Sequence, residues 1–151
     1  MKIPLAASLM LATAFATAAT RPAAPPHPAA LRLSVERDGE ALKPLTLCLA
    51  ADGRFAGAVY EAAATLSVSG RLQADRGLSR PLLSVKLDWR DGASSRKLDS
   101  QLALEDSRML LGGLQLQVHP YSEASGVEPQ LSSLTFYLEP LAACPPPAPQ
   151  P

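Results

Sequence analysis

Apolar and polar side chains alternate through most of the chain between residues 31 and 138. A period of two puts successive side chains on opposite faces of a β-strand, so one face meets a core and the other meets water. The apolar positions of these runs are Leu31, Leu33 and Val35; Leu45, Leu47 and Leu49; Leu66, Val68 and Leu72; Leu83, Val85, Leu87 and Trp89; Leu98, Leu102 and Leu104; Leu114, Leu116 and Val118; and Leu134, Phe136 and Leu138. Helical patterns do not alternate with these runs, which argues against a parallel α/β sheet.

Turn residues separate several of the alternating runs. Asp38–Gly39, Asp52–Gly53 and Asp91–Gly92 each stand between two such runs, and Asp-Gly supplies the positive φ that tight hairpin turns require. Short strands at spacings of roughly 10–17 residues are typical of antiparallel sandwiches and barrels. The sequence therefore predicts an all-β fold, an antiparallel β-sandwich or barrel of about 7–8 strands.

Residues 54–65 fit two local structures. Phe55 and Val59 follow the strand period, whereas Val59, Ala62 and Leu66 would form the stripe of a short helix, and alanine favours helix. We predict a strand because the segments on both sides are strands.

The N-terminal residues have the features of a secretory signal. Residues 1–19 contain Lys2, then a mostly apolar run from Ile3 to Phe15, then overlapping small-x-small patterns that a signal peptidase reads. We predict a cleaved signal peptide; the alternative is an uncleaved N-terminal anchor. The mature protein is then expected to be periplasmic or extracellular.

Proline marks both borders of the predicted domain. The Pro/Ala-rich residues 20–30 predict an extended linker, and residues 145–151 predict a stiff Pro-rich tail, so the β-domain spans residues 31–144. No other apolar run reaches the length of about 18 residues that a membrane-spanning helix needs. We expect no membrane span after signal cleavage.

Cys48 and Cys144 are the only cysteines of the chain. In an oxidising compartment they predict one intramolecular disulfide, which would join the second strand to the end of the domain. The alternatives are an intermolecular bridge or a redox pair, but redox pairs have Cys-x-x-Cys spacing. Since Cys48 alternates with Leu47 and Leu49, the bridge is expected at the sheet surface or edge.

Few residues suggest catalysis. His27 lies in the predicted linker and His119 at a strand end, so neither belongs to a cluster that would hold zinc. Asp88, Asp91 and Asp99 surround one predicted hairpin, where paired carboxylates could serve as glycosidase acid and base, but neighbouring Lys and Arg residues favour a solvated, balanced hairpin. We predict no catalytic residue, no metal site and no cofactor.

Gly112–Gly113 is the remaining motif of interest. No lysine or helix start follows it, so it does not predict a phosphate-binding loop. Glycines inside an alternating run more often mark a β-bulge or a close approach of another backbone.

Charge is balanced overall and uneven along the chain. The chain has 14 basic and 14 acidic side chains, which gives no reason to expect a nucleic-acid partner. Residues 54–97 hold eight basic and four acidic side chains, whereas residues 98–144 hold one basic and six acidic. We expect a mixed surface, because the two halves of a sandwich sequence interleave in space.

Leu66–Gln117 has a wider pattern: strand runs, a turn at Glu105–Ser107, and an apolar run that ends in Gly-Gly-Leu at Leu110–Leu114. This segment, about a third of the chain, resembles the C-terminal β-domain of bacterial secretins, in which a Leu-x-Val-x-Pro strand precedes a strand pair. Here Gly70–Arg71 stands near the place of the proline, and the turn lacks Asp-Gly. The mature chain is also too short for a ring-forming pore, so the resemblance implies an accessory module of the cell envelope.

These features support three hypotheses. The first is a non-catalytic exported β-domain that binds or supports another envelope protein. The second is a small secreted hydrolase that uses His119 or the aspartates of the hairpin. The third is a periplasmic protein that binds a small ligand at the mouth of the sandwich or barrel.

Overall fold

The structure is a computed structural model that describes residues 27–61, 64–74, 77–92, 94–119, 126 and 130–146. The predicted signal peptide and most of the predicted linker and tail lie outside these residues. The strands are β1 (Ala30–Arg37), β2 (Glu40–Ala41), β3 (Leu45–Cys48), β4 (Arg54–Glu61), β5 (Ala64–Gln73), β6 (Leu82–Asp91), β7 (Ser94–Ala103), β8 (Met109–His119) and β9 (Gln130–Leu141). This described part contains no helix, and therefore none that is long and apolar enough to cross a membrane.

Two antiparallel sheets form the fold, as the sequence predicts. In sheet I, β1 pairs with β9 and β9 pairs with β8, while β2 and β3 share the other edge of β1. Sheet II is a meander in the order β4, β5, β6, β7. The expected strand at Leu45–Leu49 is preceded by the two-residue strand β2, which brings the number of strands to nine.

The sheets approach each other at two edges, where β3 lies against β4 and β7 against β8. At the first edge, a Cβ on Gly57 would lie 2.7 Å from Cδ2 of Leu47, so any larger residue would require the leucine side chain to move. At the second edge, the Ser100 hydroxyl donates a hydrogen bond to the carbonyl oxygen of Leu111 at 2.9 Å. The sandwich is therefore closed at both sides by side chains rather than by strand pairing between these neighbours.

The three Asp-Gly pairs have different roles. Asp38–Gly39 is a two-residue hairpin turn with φ of 52° and 87°, as a type I′ turn requires. At the β6–β7 hairpin, Asp91 still pairs with Ser94, so the turn begins at Gly92. Asp52–Gly53 connects strands of different sheets and forms no hairpin, which corrects that expectation.

Residues 54–61 form strand β4, which confirms the strand prediction over the helical alternative for this segment. Phe55 is buried on the inner face, and its partner across β5 is Gly70. A Cβ on Gly70 would lie 2.4 Å from the Phe55 ring and 2.3 Å from the Ser84 carbonyl oxygen. The missing side chain at Gly70 therefore leaves the space that the Phe55 ring occupies.

The core lies between the sheets and consists mainly of leucine and valine. Its largest fully buried side chains are Phe136, Leu31, Leu33, Leu47, Leu83, Leu87, Leu134, Leu138 and Val85. Each fully buried side chain of this kind stabilises the fold by roughly 1.5–3 kcal/mol relative to exposure. In β1, β5, β6 and β9, the apolar residues of the alternating pattern are thus the ones that point into the core.

A β-bulge interrupts β8 where the sequence has Leu110–Gly113. Leu110 pairs with Tyr137 and Gly112 with Phe136, which leaves Leu111 as the extra residue. Leu111 is buried whereas Leu110 is 59% exposed. The bulge shifts the inward face from odd to even positions, and it confirms the expected role of the glycine pair.

Cys48 and Cys144 form the predicted disulfide, with their Cα atoms 5.5 Å apart and 96 positions apart in sequence. Both residues are exposed, so the bridge lies at the surface, as predicted. It attaches the segment that follows β9 to the end of β3.

Candidate functional site

Two aspartates of the β6–β7 hairpin, Asp88 and Asp99, line one open pocket of about 380 Å³ together with Lys86 and Lys97. Asp88 accepts hydrogen bonds from Arg90 at 3.1 and 3.3 Å and from the Ser95 hydroxyl at 3.3 Å. The hydrogen bond from Arg90 holds the pKa of Asp88 below its ordinary value. Asp88 is therefore ionised at neutral pH and cannot act as a general acid.

The other two aspartates of the hairpin are placed differently. Asp99 lies directly opposite Lys86 on the outer face of the sheet, while Asp91 ends its strand opposite Ser94. The expectation of a charge-balanced hairpin therefore describes this region better than a carboxylate pair does.

The two histidines lie at opposite ends of the sandwich. His119 is the last residue of β8 and its backbone is opposite Gln130. His27 is exposed and precedes Ala29, whose N–H donates to the Leu141 carbonyl and whose carbonyl accepts from the Leu49 N–H. Within the described ranges no group of three His, Cys, Asp or Glu residues is arranged to hold a metal ion.

Two open clefts flank His27 at the end of the sandwich that carries the disulfide. One, of about 790 Å³, lies between the Asp52–Gly53 turn and the end of β5 and reaches Cys144. The other, of about 470 Å³, lies beside Pro81 and Pro140. Their described linings mix small apolar and charged groups.

A small apolar pocket lies at the opposite end, around Trp89. The indole ring is 3% exposed, and its N–H has no hydrogen-bond partner among the described residues. The pocket has space of about 10 Å³, which is close to that of a single water molecule. Leu42 and Leu45 line its apolar part, and Lys43 and Glu61 also lie along it.

The outer face of sheet II is a regular surface with an unbalanced charge. Four rows of side chains cross it from β4 to β7: Arg54, Arg71, Ser84 and Gln101; Ala56, Ser69, Lys86 and Asp99; Ala58, Ser67, Asp88 and Lys97; and Tyr60, Thr65, Arg90 and Ser95. Five of these side chains are basic and two are acidic. Small residues occupy most of the other positions, so the charged groups stand above a low, polar floor.

A groove of about 650 Å³ runs over the β4 side of this face. Its basic side chains are Arg54, Arg71 and Lys86, and Ser69 and Ser84 add hydroxyl groups. Among the described residues that line the groove there is no carboxylate. Such a surface can accept an anionic group through charge-assisted hydrogen bonds.

Arg54 and Arg71 lie directly opposite each other in this groove, an arrangement that is unfavourable for like charges. Asp52 neutralises one of them through an ion pair with Arg54. Among the described residues, the hydrogen bond that Arg71 donates runs from its Nε to the Asp52 carbonyl oxygen, at 3.4 Å. The guanidinium of Arg71 thus keeps hydrogen-bonding capacity for an external anion.

The outer face of sheet I is balanced instead. Arg32 lies 3.7 Å from Glu139, and Arg108 lies 2.6 Å from Glu36. The Arg108 guanidinium also stacks 3.9 Å above the centre of the Tyr137 ring. Cations of this face are therefore engaged within the protein.

The expectation of a mixed surface is wrong for sheet II. It assumed that the sequence halves interleave, but β4 to β7 form a meander, so these four consecutive strands lie in one sheet. Sequence reasoning therefore missed that Arg71, Lys86 and Lys97 lie on one face of the same sheet. The signal was present in the alternation, because all three occupy outward positions of their strands.

No protein-family model, no curated protein and no solved structure matches the chain. The segment that resembles the secretin β-domain, Leu66–Gln117, extends from β5 into β8 and therefore contains parts of both sheets. The resemblance stays a prediction.

Proposed function

We propose that this protein is an exported, non-catalytic β-domain that binds or supports another protein of the cell envelope, in an accessory or assembly role. The signal-peptide features of residues 1–19 support export. The Cys48–Cys144 bridge is compatible with a periplasmic or extracellular location, since disulfides persist in oxidising compartments.

The outer face of sheet II is the docking surface in this proposal. The observation that carries it is the excess of basic side chains on this face, in contrast to the paired charges on sheet I. A positive face steers and orients an acidic partner, and its contribution falls with salt. The low floor formed by Ala56, Ala58 and Ser67 would let a partner approach the sheet closely.

In-cell photocrosslinking tests this proposal. The full chain, with its leader, would carry a photoreactive amino acid at Ser67, in the centre of the outer face of sheet II. The matched control carries it at Gln115, an exposed position on the outer face of sheet I. We expect a discrete adduct with an envelope protein from position 67 and none from position 115.

Two results would contradict the proposal. One is the absence of adducts at both positions under conditions in which the protein is exported. The other is an adduct from position 115 alone, which would move the docking surface to sheet I.

A further inference from the structure

We infer that the outer face of sheet II binds an extended polypeptide segment with acidic side chains at alternate positions. The inference rests on the proposed function and names the chemistry of the partner. Three basic side chains carry it: Arg71, Lys86 and Lys97.

The strand register places these three residues on one straight diagonal. Arg71 of β5 is opposite Ser84, so Lys86 of β6 is two residues further along. Lys86 is opposite Asp99, and Lys97 of β7 is again displaced by two residues in the same direction. Each basic residue therefore lies on the next strand and two residues further along the sheet than the one before it.

The spacing of this diagonal matches an extended chain. Diagonal neighbours on one face of an antiparallel sheet are about 7–8 Å apart. Alternate side chains of an extended segment point the same way at intervals of about 6.6–6.8 Å. Three carboxylates at positions i, i+2 and i+4 can thus meet Arg71, Lys86 and Lys97 in order, with small adjustments of the long basic side chains.

The three basic groups are available for such a partner. Among the described residues, none of them forms an ion pair within 4 Å. Asp88 and Asp99 line an open pocket together with Lys86 and Lys97. Asp88 is also bonded by Arg90 and Ser95, so the three basic side chains of the diagonal still outnumber the carboxylates beside them. Lys86 and Lys97 are exposed, as is Arg71.

The floor beside the diagonal suits a peptide rather than a compact anion. Ser67, Ser69 and Ser84 lie beside the diagonal and offer hydroxyl groups to an approaching backbone, and the carboxylates of Asp88 and Asp99 lie beside its lower half. The groove of about 650 Å³ at Arg71 and Lys86 is open and elongated across strands. A single phosphate would contact only one part of this row of charges.

Peptide titration tests the inference. The probes are two heptapeptides with blocked ends and the same net charge, Ser-Glu-Ser-Glu-Ser-Glu-Ser and Ser-Ser-Glu-Glu-Glu-Ser-Ser. Binding to the mature protein is followed through the backbone amide signals of Ser69, Ser84 and Lys86 in ¹⁵N-resolved NMR spectra. We expect the alternating peptide to bind about fivefold more tightly than the contiguous one, and its affinity to fall as NaCl is added.

Charge-removal variants locate the site. Lys86→Gln removes the central cation at nearly constant size, and we expect the affinity for the alternating peptide to fall about fivefold. Lys43→Gln removes an exposed lysine outside sheet II and is expected to bind as the wild type does. A dispersed spectrum for each variant establishes that it is folded.

Three outcomes would overturn the inference: equal binding of the two peptides, wild-type binding by Lys86→Gln, or equal losses in both variants. A further arm uses vesicles of phosphatidylglycerol and phosphatidylcholine; vesicle binding that depends on Lys86, without peptide binding, would replace the peptide by an anionic membrane surface. Loss of peptide binding with a position-67 adduct intact would refute only this inference. Peptide binding without any adduct in cells would refute the proposed function instead.

Discussion

The Asp38 carboxylate accepts a hydrogen bond of 2.7 Å from the backbone N–H of Ser133, although the two residues are 95 positions apart. The same carboxylate accepts a bond of 2.7 Å from the hydroxyl of Ser132, and the Asp38 N–H donates to the Ser133 carbonyl at 3.0 Å. The hairpin turn between β1 and β2 is thereby attached to β9. Asp38 therefore has two roles: its backbone adopts the positive φ of the turn, and its carboxylate connects the turn to β9.

Two substitutions of Asp38 should therefore lower the free energy of unfolding by different amounts. Asp38→Asn keeps a residue that tolerates positive φ and removes the charge, whereas Asp38→Ala removes the acceptors and also disfavours φ of 52°. We expect the free energy of unfolding to decrease in the order wild type, Asn variant, Ala variant. Urea unfolding followed by Trp89 fluorescence measures this order, and an alanine variant as stable as the wild type would contradict it.

Acid should weaken the fold through its bonded aspartates. Hydrogen bonds lower the pKa of Asp38, mainly from Ser132, of Asp52, mainly from the Arg54 N–H, and of Asp88, mainly from Arg90. Because the folded pKa lies below the unfolded value, these groups stabilise the fold fully above about pH 4, and the contribution is lost as the pH falls through the folded pKa.

The pH dependence of Asp38→Asn provides the control for this effect. We expect a shallower decrease in the unfolding midpoint between neutral pH and about pH 3 than in the wild type, because one of the shifted carboxyls is absent. Parallel pH profiles for the two proteins would show that Asp38 does not contribute to the acid sensitivity.

The bulge in β8 predicts opposite effects for two neighbouring leucines. Leu111 is 7% exposed and Leu110 is 59% exposed. Leu111→Ala should cost about 2–5 kcal/mol, as for other buried leucines, and Leu110→Ala no more than about 0.5 kcal/mol. Denaturant unfolding of the pair tests the register directly, since a strand without the bulge would reverse or equalise the two costs.

Loss of the disulfide should destabilise the protein without abolishing its strand pairing. Its loop of about 97 residues corresponds to roughly 4–5 kcal/mol in the loop-entropy model. β3 keeps its pairing with β1, for instance Leu47 opposite Leu31. We expect Cys48→Ser/Cys144→Ser to keep a β-type far-ultraviolet spectrum with a much lower unfolding midpoint, and an unchanged midpoint would refute a stabilising role.

The alternation of side chains was sufficient to predict the strands and their inward faces, because the period of two is a local property. Leu33, Leu87 and Phe136 are inward and fully or almost fully buried as predicted. The disulfide was also predictable, since Cys48 and Cys144 have no other cysteine to pair with. Strand β4 was predicted from the strands on both sides of it, although its alanines favour a helix.

Features that depend on sheet membership were not predictable. Asp52–Gly53 has the same residues as a hairpin turn, but β3 pairs with β1 and β4 pairs with β5, so the turn joins two sheets. The basic diagonal likewise could be recognised only once the strand order was known. Arg71, Lys86 and Lys97 are not evenly spaced in the sequence, so no periodic pattern connects them. Such arrangements are set by which strands become neighbours, which is a non-local property.

The first and last described segments leave the sandwich from the same end. The Ala29 N–H donates to the Leu141 carbonyl, and the disulfide fixes Cys144 nearby. Chain termini that lie close together permit circular permutation and insertion of a domain into another protein. A circular permutant in which a short linker joins residues 27 and 146 and the new termini lie in the β6–β7 hairpin should therefore keep the same sandwich. The domain should also fold when it is inserted into a surface loop of another protein.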